Sequence, residues 1–256
     1  MLSKNQIKLI KSLETKKYRK REGLFVAEGP KVVGDLLRAG YQPHSIFSSN
    51  EHLELRVGQS GQGHFGQNDL CIPITDDELR RISFLQHPQE VLAIFHIPSP
   101  SNLLTSSPSQ LALALDGVQD PGNLGTIIRI ADWFGITSIY CSPDTADVYN
   151  PKVVQATMGS LAHVTITYCD LVPLLSKAGV PVYGTLLDGQ NIYEQPLSEN
   201  GIIVMGNEGN GISPEVRQLV SHKLLIPNFN KNSETAESLN VAIATAITCS
   251  EFKRRF

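Results

Sequence analysis

Four cysteines in 256 residues, at 71, 141, 169 and 249, are too scattered to form a C-x-x-C pair. They read as buried thiols in a reducing cytoplasm. The seven histidines, at 44, 52, 64, 87, 96, 163 and 222, show no metal-ligand spacing, so no metal is expected. No apolar run approaches the ~18 residues of a membrane span. The opening M-L-S-K-N-Q-I-K lacks the apolar core of a signal peptide. No internal repeat or sustained heptad is evident.

Positive charge is also scarce overall, with a net charge of −3, but it is unevenly placed. Residues 1–38 carry ten Lys or Arg against four Asp or Glu, whereas residues 101–251 carry six against fourteen. A basic N-terminal segment on an acidic chain suits contact with a polyanion. It equally suits a solvated helix face.

What is present is 41% hydrophobic residues, enough for one large domain or two small ones. The Pro- and Ser-rich stretch P-S-P-S-N-L-L-T-S-S-P-S-Q at 98–110 separates two apolar runs and predicts a linker. Residues 1–97 before it read as a small α/β module. Helices are predicted over 3–17, 30–39 and 76–82, strands over 24–26, 45–47 and 91–97, and a mobile loop over 57–68. In residues 111–256, apolar runs at 111–115, 138–141, 164–168, 182–186, 202–205 and 223–226 alternate with helical patterns at 123–134, 151–160, 171–178, 214–220 and 238–252. That alternation predicts an α/β fold with a mostly parallel sheet and helices on both faces. Ligands of such sheets bind at the carboxyl ends of the strands.

Three predicted strand ends carry unusual loops. The first, L-D-G-V-Q-D-P-G-N-L-G-T-I-I-R, places Asn123 as a helix cap and sets Arg129 among apolar neighbours. Pairing of Arg129 with Asp132, or snorkelling to water, is the plainer reading. The second, V-M-G-N-E-G-N-G-I-S at 204–213, holds Gly206, Gly209 and Gly211. It has neither the G-x-G-x-x-G of a dinucleotide site nor the lysine of a P-loop. Glu208 inside it disfavours phosphate and suits a cationic or hydrogen-donating guest; otherwise it caps the next helix. In the third, at 226–247, Ser238 is the expected N-cap of a helix too apolar to lie on a surface.

Together these segments resemble the SpoU (TrmH) family of RNA 2′-O-ribose methyltransferases, within the SPOUT class. The likeness rests on Asn123-Leu124-Gly125 through Arg129, on G-N-E-G-N-G-I-S, and on Ile226-Pro227 followed by S-L-N-V-A at 238–242. F-V-A-E-G-P-K at 25–31 and H-P-Q-E-V-L-A-I-F at 87–95 are similar to the ribosomal-protein-like substrate-binding domain of many members. The long loop 228–237 departs from many relatives.

The resemblance implies a deep trefoil knot in the sheet, a homodimer using helices 123–134 and 238–252, and S-adenosylmethionine as methyl donor. Cofactor contacts would fall on Gly184, Leu186, Gly206, Asn207, Gly211, Ile226 and Leu239. Arg129, Asn123, Glu208, Ser238 and Asn240 would form the catalytic set, with Arg129 buried beside the donor. RNA, ribosomal rather than transfer RNA, would meet Lys16, Lys17, Arg19, Lys20 and Arg21. Two other readings are a ribosome-assembly protein without catalysis and a transfer RNA methyltransferase. A nucleotide enzyme with a glycine loop is a third, disfavoured by the missing lysine.

Overall fold

The computed structural model describes residues 2–50, 71–98, 110–230 and 238–256. The 57–68 loop, nearly all of the 98–110 linker and most of the 228–237 loop lie outside these residues. Elements are numbered in chain order. The chain forms two compact units, Met1–Ser99 with Asp147–His163, and Pro100–Ala146 with Val164–Phe256. Residues 147–163, which follow the linker in sequence, group by contacts with the first unit.

In the first unit, β1 (Leu24–Glu28), β2 (Pro43–Ser48), β3 (Cys71–Pro73) and β4 (Val91–His96) pair in the order β1-β4-β2-β3. Alternation along β1 divides the core. Leu24 and Val26 join a cluster with Ile10, Leu13 and Leu92. Phe25 turns to the opposite face and packs on Phe95, Tyr41 and Tyr149. Tyr149 belongs to the segment carrying α6 (Pro151–Ala156), and Arg19, 2% exposed, ion-pairs with Asp147 in the same segment. These two contacts explain why 147–163 groups with the first unit.

The single helix predicted over 3–17 is two helices, α1 (Lys4–Ser12) and α2 (Lys16–Glu22). Thr15 has extended backbone between them, and Gly23 ends α2 in the left-handed conformation. The remaining helices of this unit are α3 (Pro30–Arg38) and α4 (Asp76–Ile82), the latter opened by a capping box of Thr75 and Glu78.

Glu28 ends β1 with only 5% exposure. Its carboxylate accepts from the Ser83 hydroxyl and, at 2.8 Å, from the Phe84 amide. Burial nonetheless raises its pKa, outweighing those bonds and the nearby Lys11 charge. A raised folded pKa contributes stability below the unfolded carboxylate range and loses it as pH rises through the folded value. Glu28→Gln is therefore expected to raise the thermal midpoint at neutral pH, with the gain shrinking as pH falls towards the ordinary glutamate range. Calorimetric scans of both proteins across that range check this, and a variant less stable at neutral pH contradicts it.

The second unit holds a six-stranded, wholly parallel sheet. Its strands are β5 (Leu111–Asp116), β6 (Ser138–Cys141), β7 (Thr165–Tyr168), β8 (Val182–Asn191), β9 (Gly201–Gly206) and β10 (His222–Leu225), in the order β10-β8-β9-β5-β6-β7. The helices are α5 (Pro121–Trp133), α7 (Leu171–Ser176), α8 (Pro214–Arg217) and α9 (Val241–Lys253). They cover both faces. Ala112, Ala114, Ile202 and Val204 pack with Leu171, Leu175 and Val216 of α7 and α8. Tyr183, of opposite parity to Val182, meets Phe252 of α9 edge to face. The α/β reading with a parallel sheet and helices on both faces holds.

Cys141 and Cys249 are buried, but Cys71 and Cys169 are only half-buried, against the expectation of four buried thiols. No helix among the described residues is long and apolar enough to cross a membrane. No group of His, Cys, Asp or Glu among them could hold a metal ion.

Candidate active site

After β5 the chain runs to β6 and β7 on one side of the sheet, while β8, β9 and β10 lie on the other. The strand order reverses between β5 and β9, whose last residues, Asp116 and Gly206, are register partners. Loops leaving such a reversal diverge and open a crevice at the carboxyl ends of the strands.

The loop after β9 is built from its own side chains. Asn207 Oδ1 accepts from the amides of Gly209 and Asn210 at 2.9 and 3.0 Å, and Asn207 Nδ2 donates to the Gly117 carbonyl at 2.7 Å. Asp116 Oδ2 accepts from the Ser213 amide at 2.7 Å, tying the far end of the loop to β5. Asn207 and Gly211 exchange backbone hydrogen bonds of 2.9 Å in both directions. This folds the loop onto Gly206, where a Cβ would lie 2.3 Å from the Gly211 carbonyl carbon. Gly206 is thus demanded by its own loop, whereas the sequence suggests a ligand as the reason. Gly184 answers to packing as well, since a Cβ there would lie 2.8 Å from Val220.

Three distant segments meet through side-chain amides. Asp120, rather than Asn123, caps α5, accepting from the Asn123 amide at 2.8 Å. That frees the Asn123 side chain. Its Nδ2 donates to Glu208 Oε1 at 2.7 Å, and its Oδ1 accepts from Asn240 Nδ2 at 2.9 Å. Asn240, rather than Ser238, caps α9, its Oδ1 accepting from the amides of Ala242 and Ile243. Glu208 therefore does not cap α8, whose N-cap residue is Ser213. The relay runs from the α9 N-terminus through two asparagines to a carboxylate. Each dipole points the same way, and the last bond is charge-assisted.

Beside it lies a cavity of about 660 Å³ at the ends of β8, β9 and β10. That volume suits a small-molecule cofactor. Its wall contains Leu186, Gly206, Asn207, Glu208, Gly211, Ile226, Ser238 and Leu239, but not Gly184, Asn123, Arg129 or Asn240. Asp188, Arg217, Thr185 and Met205 also line it and were not anticipated from the sequence. Asp188 belongs to an excursion of β8. Between the pairs Lys223↔Gly184 and Leu224↔Gln190, residues 185–189 swing out while β10 advances one step. Gly189 permits this, because a Cβ would lie 2.6 Å from the Leu224 carbonyl carbon.

Arg129 is exposed, not buried. It lies ~1.7 turns beyond Asn123 along α5 and so faces another direction. Its face of α5 also carries Trp133, 84% exposed. Arg19 is buried against Asp147 and is removed from the phosphate-contact set. Lys16, Lys17, Lys20 and Arg21 are exposed.

The donor set fits S-adenosylmethionine. Leu186, Ile226 and Leu239 offer apolar walls for a flat base, carboxylates suit a cation, and no lysine cradles a triphosphate. Comparison with known proteins agrees. Residues 110–250 match the SpoU rRNA Methylase family, and residues 4–93 match the MRM3-like substrate binding domain. A 23S rRNA (guanosine(2553)-2'-O)-methyltransferase of Bacillus subtilis, RlmP, is 33% identical over 253 residues, covering 96% of this chain and 95% of its own. The structure of a putative TrmH-family RNA methyltransferase from Porphyromonas gingivalis is 44% identical with a TM-score of 0.85, covering 100% of both chains. An AdoMet-bound rRNA methyltransferase from Sinorhizobium meliloti is 31% identical with a TM-score of 0.85, covering 100% of this chain and 96% of that one. With its catalytic half and its N-terminal module both matched, the chain belongs to the SpoU rRNA methylase family.

Proposed function

We propose that this protein transfers a methyl group from S-adenosylmethionine to a ribose 2′-hydroxyl of ribosomal RNA. The observation that carries the reading is the cavity joined to the Asn240–Asn123–Glu208 relay, in a chain similar over its full length to a 23S rRNA 2'-O-methyltransferase. Bound there, the cofactor supplies a methyl group on a good leaving group. The protein's task is then alignment and handling of the hydroxyl proton. Leu186, Ile226 and Leu239 would flank the base, and Gly206, Asn207 and Gly211 would shape the loop against it. The relay fixes Glu208, and Ser238 in the cavity wall offers a hydroxyl to ribose or phosphate.

A guanidinium does not give up its proton at neutral pH, so Arg129 acts by stabilising the developing alkoxide, and the hydroxyl proton passes to a carboxylate or an RNA phosphate. Because Arg129 does not line the cavity of its own chain, it serves the cavity of a second copy. Half-exposed Ile243 on α9 and exposed Trp133 on α5 supply apolar surface for that homodimer. Lys16, Lys17, Lys20 and Arg21 give RNA phosphates salt-dependent, sequence-independent contacts. The trefoil knot and a cytoplasmic location belong to the same reading.

The test is calorimetric titration with S-adenosylhomocysteine, followed by transfer of tritiated methyl groups to rRNA and mapping of alkali-resistant linkages. Saturable binding and labelled 2′-O-methyl nucleotides in rRNA are expected. Binding without transfer points to an RNA-binding protein that lacks catalysis, and label in transfer RNA alone overturns the substrate.

A further inference from the structure

Among the residues lining the cavity, three carry acidic or basic side chains: Glu208, Asp188 and Arg217. Glu208 is engaged by Asn123. Asp188 and Arg217 are joined to each other on the solvent side and stand outside the relay. Asp188 Oδ2 also accepts from Lys223 Nζ at 3.2 Å, so two cations converge on one carboxylate oxygen. Arg217 first, and Lys223 second, hold the Asp188 carboxyl below the usual carboxylate range. The trio is net positive, and Asp188 Oδ1 has no partner among the described residues.

Stability does not explain this arrangement. Asp188 is 51% exposed and Arg217 38%, and exposed pairs of this kind contribute little to folding. Nor does the sheet require it. The excursion of β8 carries Asp188 away from a regular ladder, at the cost of strand pairing over 185–189. A weak ion pair at a cavity mouth can exchange its mutual contact for contacts with a guest. The matching guest carries an ammonium and a carboxylate close together, next to a flat apolar body for Leu186 and Ile226.

We propose that Asp188 and Arg217 form the subsite for the amino-acid end of the cofactor. The Asp188 carboxylate accepts from its ammonium, and the Arg217 guanidinium donates to its carboxylate. This rests on the cofactor reading above and adds two residues that lie outside the segments on which the family resemblance rests. Both touch the cofactor and set how tightly its amino-acid end is held.

The test compares two ligands on the full chain. S-adenosylhomocysteine carries the amino-acid end; 5′-methylthioadenosine keeps the nucleoside and thioether but lacks it. Wild type is expected to prefer S-adenosylhomocysteine. Arg217→Ala and Asp188→Asn should each weaken that ligand roughly tenfold or more, as expected for losing a hydrogen bond to a charged group. Both should leave 5′-methylthioadenosine unchanged, so the preference collapses. If the preference survives in both variants, or both ligands weaken equally, the subsite is wrong while the cofactor reading stands. If wild type binds neither ligand, the cofactor reading falls and takes the subsite with it.

Discussion

Arg129→Ala is expected to slow methyl transfer to rRNA by about 10²–10³-fold, the usual effect of removing one preorganised donor from a developing oxyanion. Affinity for S-adenosylhomocysteine should not change. The split follows from the placement of Arg129. Its side chain is exposed and does not line its own cavity. Replacing it therefore removes no core packing and opens no hole in the cofactor wall, so the loss must appear in the chemical step. Arg129→Lys keeps the charge but loses the planar fork, and should recover only part of the rate. If the arginine serves a second copy, Arg129→Ala chains mixed with chains whose cavity is blocked at Gly206 regain activity that neither has alone. Transfer by Arg129→Ala at the wild-type rate refutes its role. Equal loss in the mixture and in its components refutes the shared site.

Arg19→Ala should produce the largest loss of stability, about 3–5 kcal/mol, the range for removing one partner of a buried ion pair. Four of the five guanidinium N–H groups are used. Nε and Nη2 donate to Asp147 Oδ2 at 3.0 and 2.6 Å, and Nη1 donates to the carbonyls of Leu13 and Glu14 at 2.7 Å each. Those carbonyls lie just past the end of α1, where helical partners run out. Alanine removes the donors to Asp147 Oδ2 and to both carbonyls, leaving the carboxylate only the Tyr149 amide at 3.1 Å on Oδ1, and opens a cavity besides. Urea unfolding should show a lower midpoint for the transition of the first unit. Adding Asp147→Leu to Arg19→Met should restore part of the loss, because no uncompensated charge then remains. A loss below about 1 kcal/mol is what an exposed lysine-like residue gives, and it refutes the burial argument.

Residues differ in how far the sequence exposes their roles. Strand and helix positions follow from apolar periodicity, which is local. Leu111–Asp116 and Gly201–Gly206 fall within a residue or two of the predicted runs. Motif residues were identifiable as a set, but their tasks were not. Asn123 and Ser238 looked like caps because both precede apolar helices. Asp120 and Asn240 take those positions, and capping depends on the backbone entry angle, which side-chain type alone does not reveal. Arg19 sits in a run of lysines and arginines, K-K-Y-R-K-R, where only the facing of α2 distinguishes the buried cation from its exposed neighbours. Asp188 and Arg217 are separated by 29 positions and meet only because β8 leaves its ladder. No periodicity signals such an excursion, although Gly189 marks where it rejoins.

The asparagine relay also sets an order of events during synthesis. Asn123 leaves the ribosome long before Glu208, and Asn240 follows last. Until Asn240 arrives, the Asn123 carbonyl oxygen lacks its donor and the α9 N-terminus cannot polarise the carboxylate. A nascent fragment that stops short of α9 thus carries both the glycine loop and Arg129 but no sealed relay. Competence for methylation therefore cannot precede translation of α9, whose N-cap closes the relay.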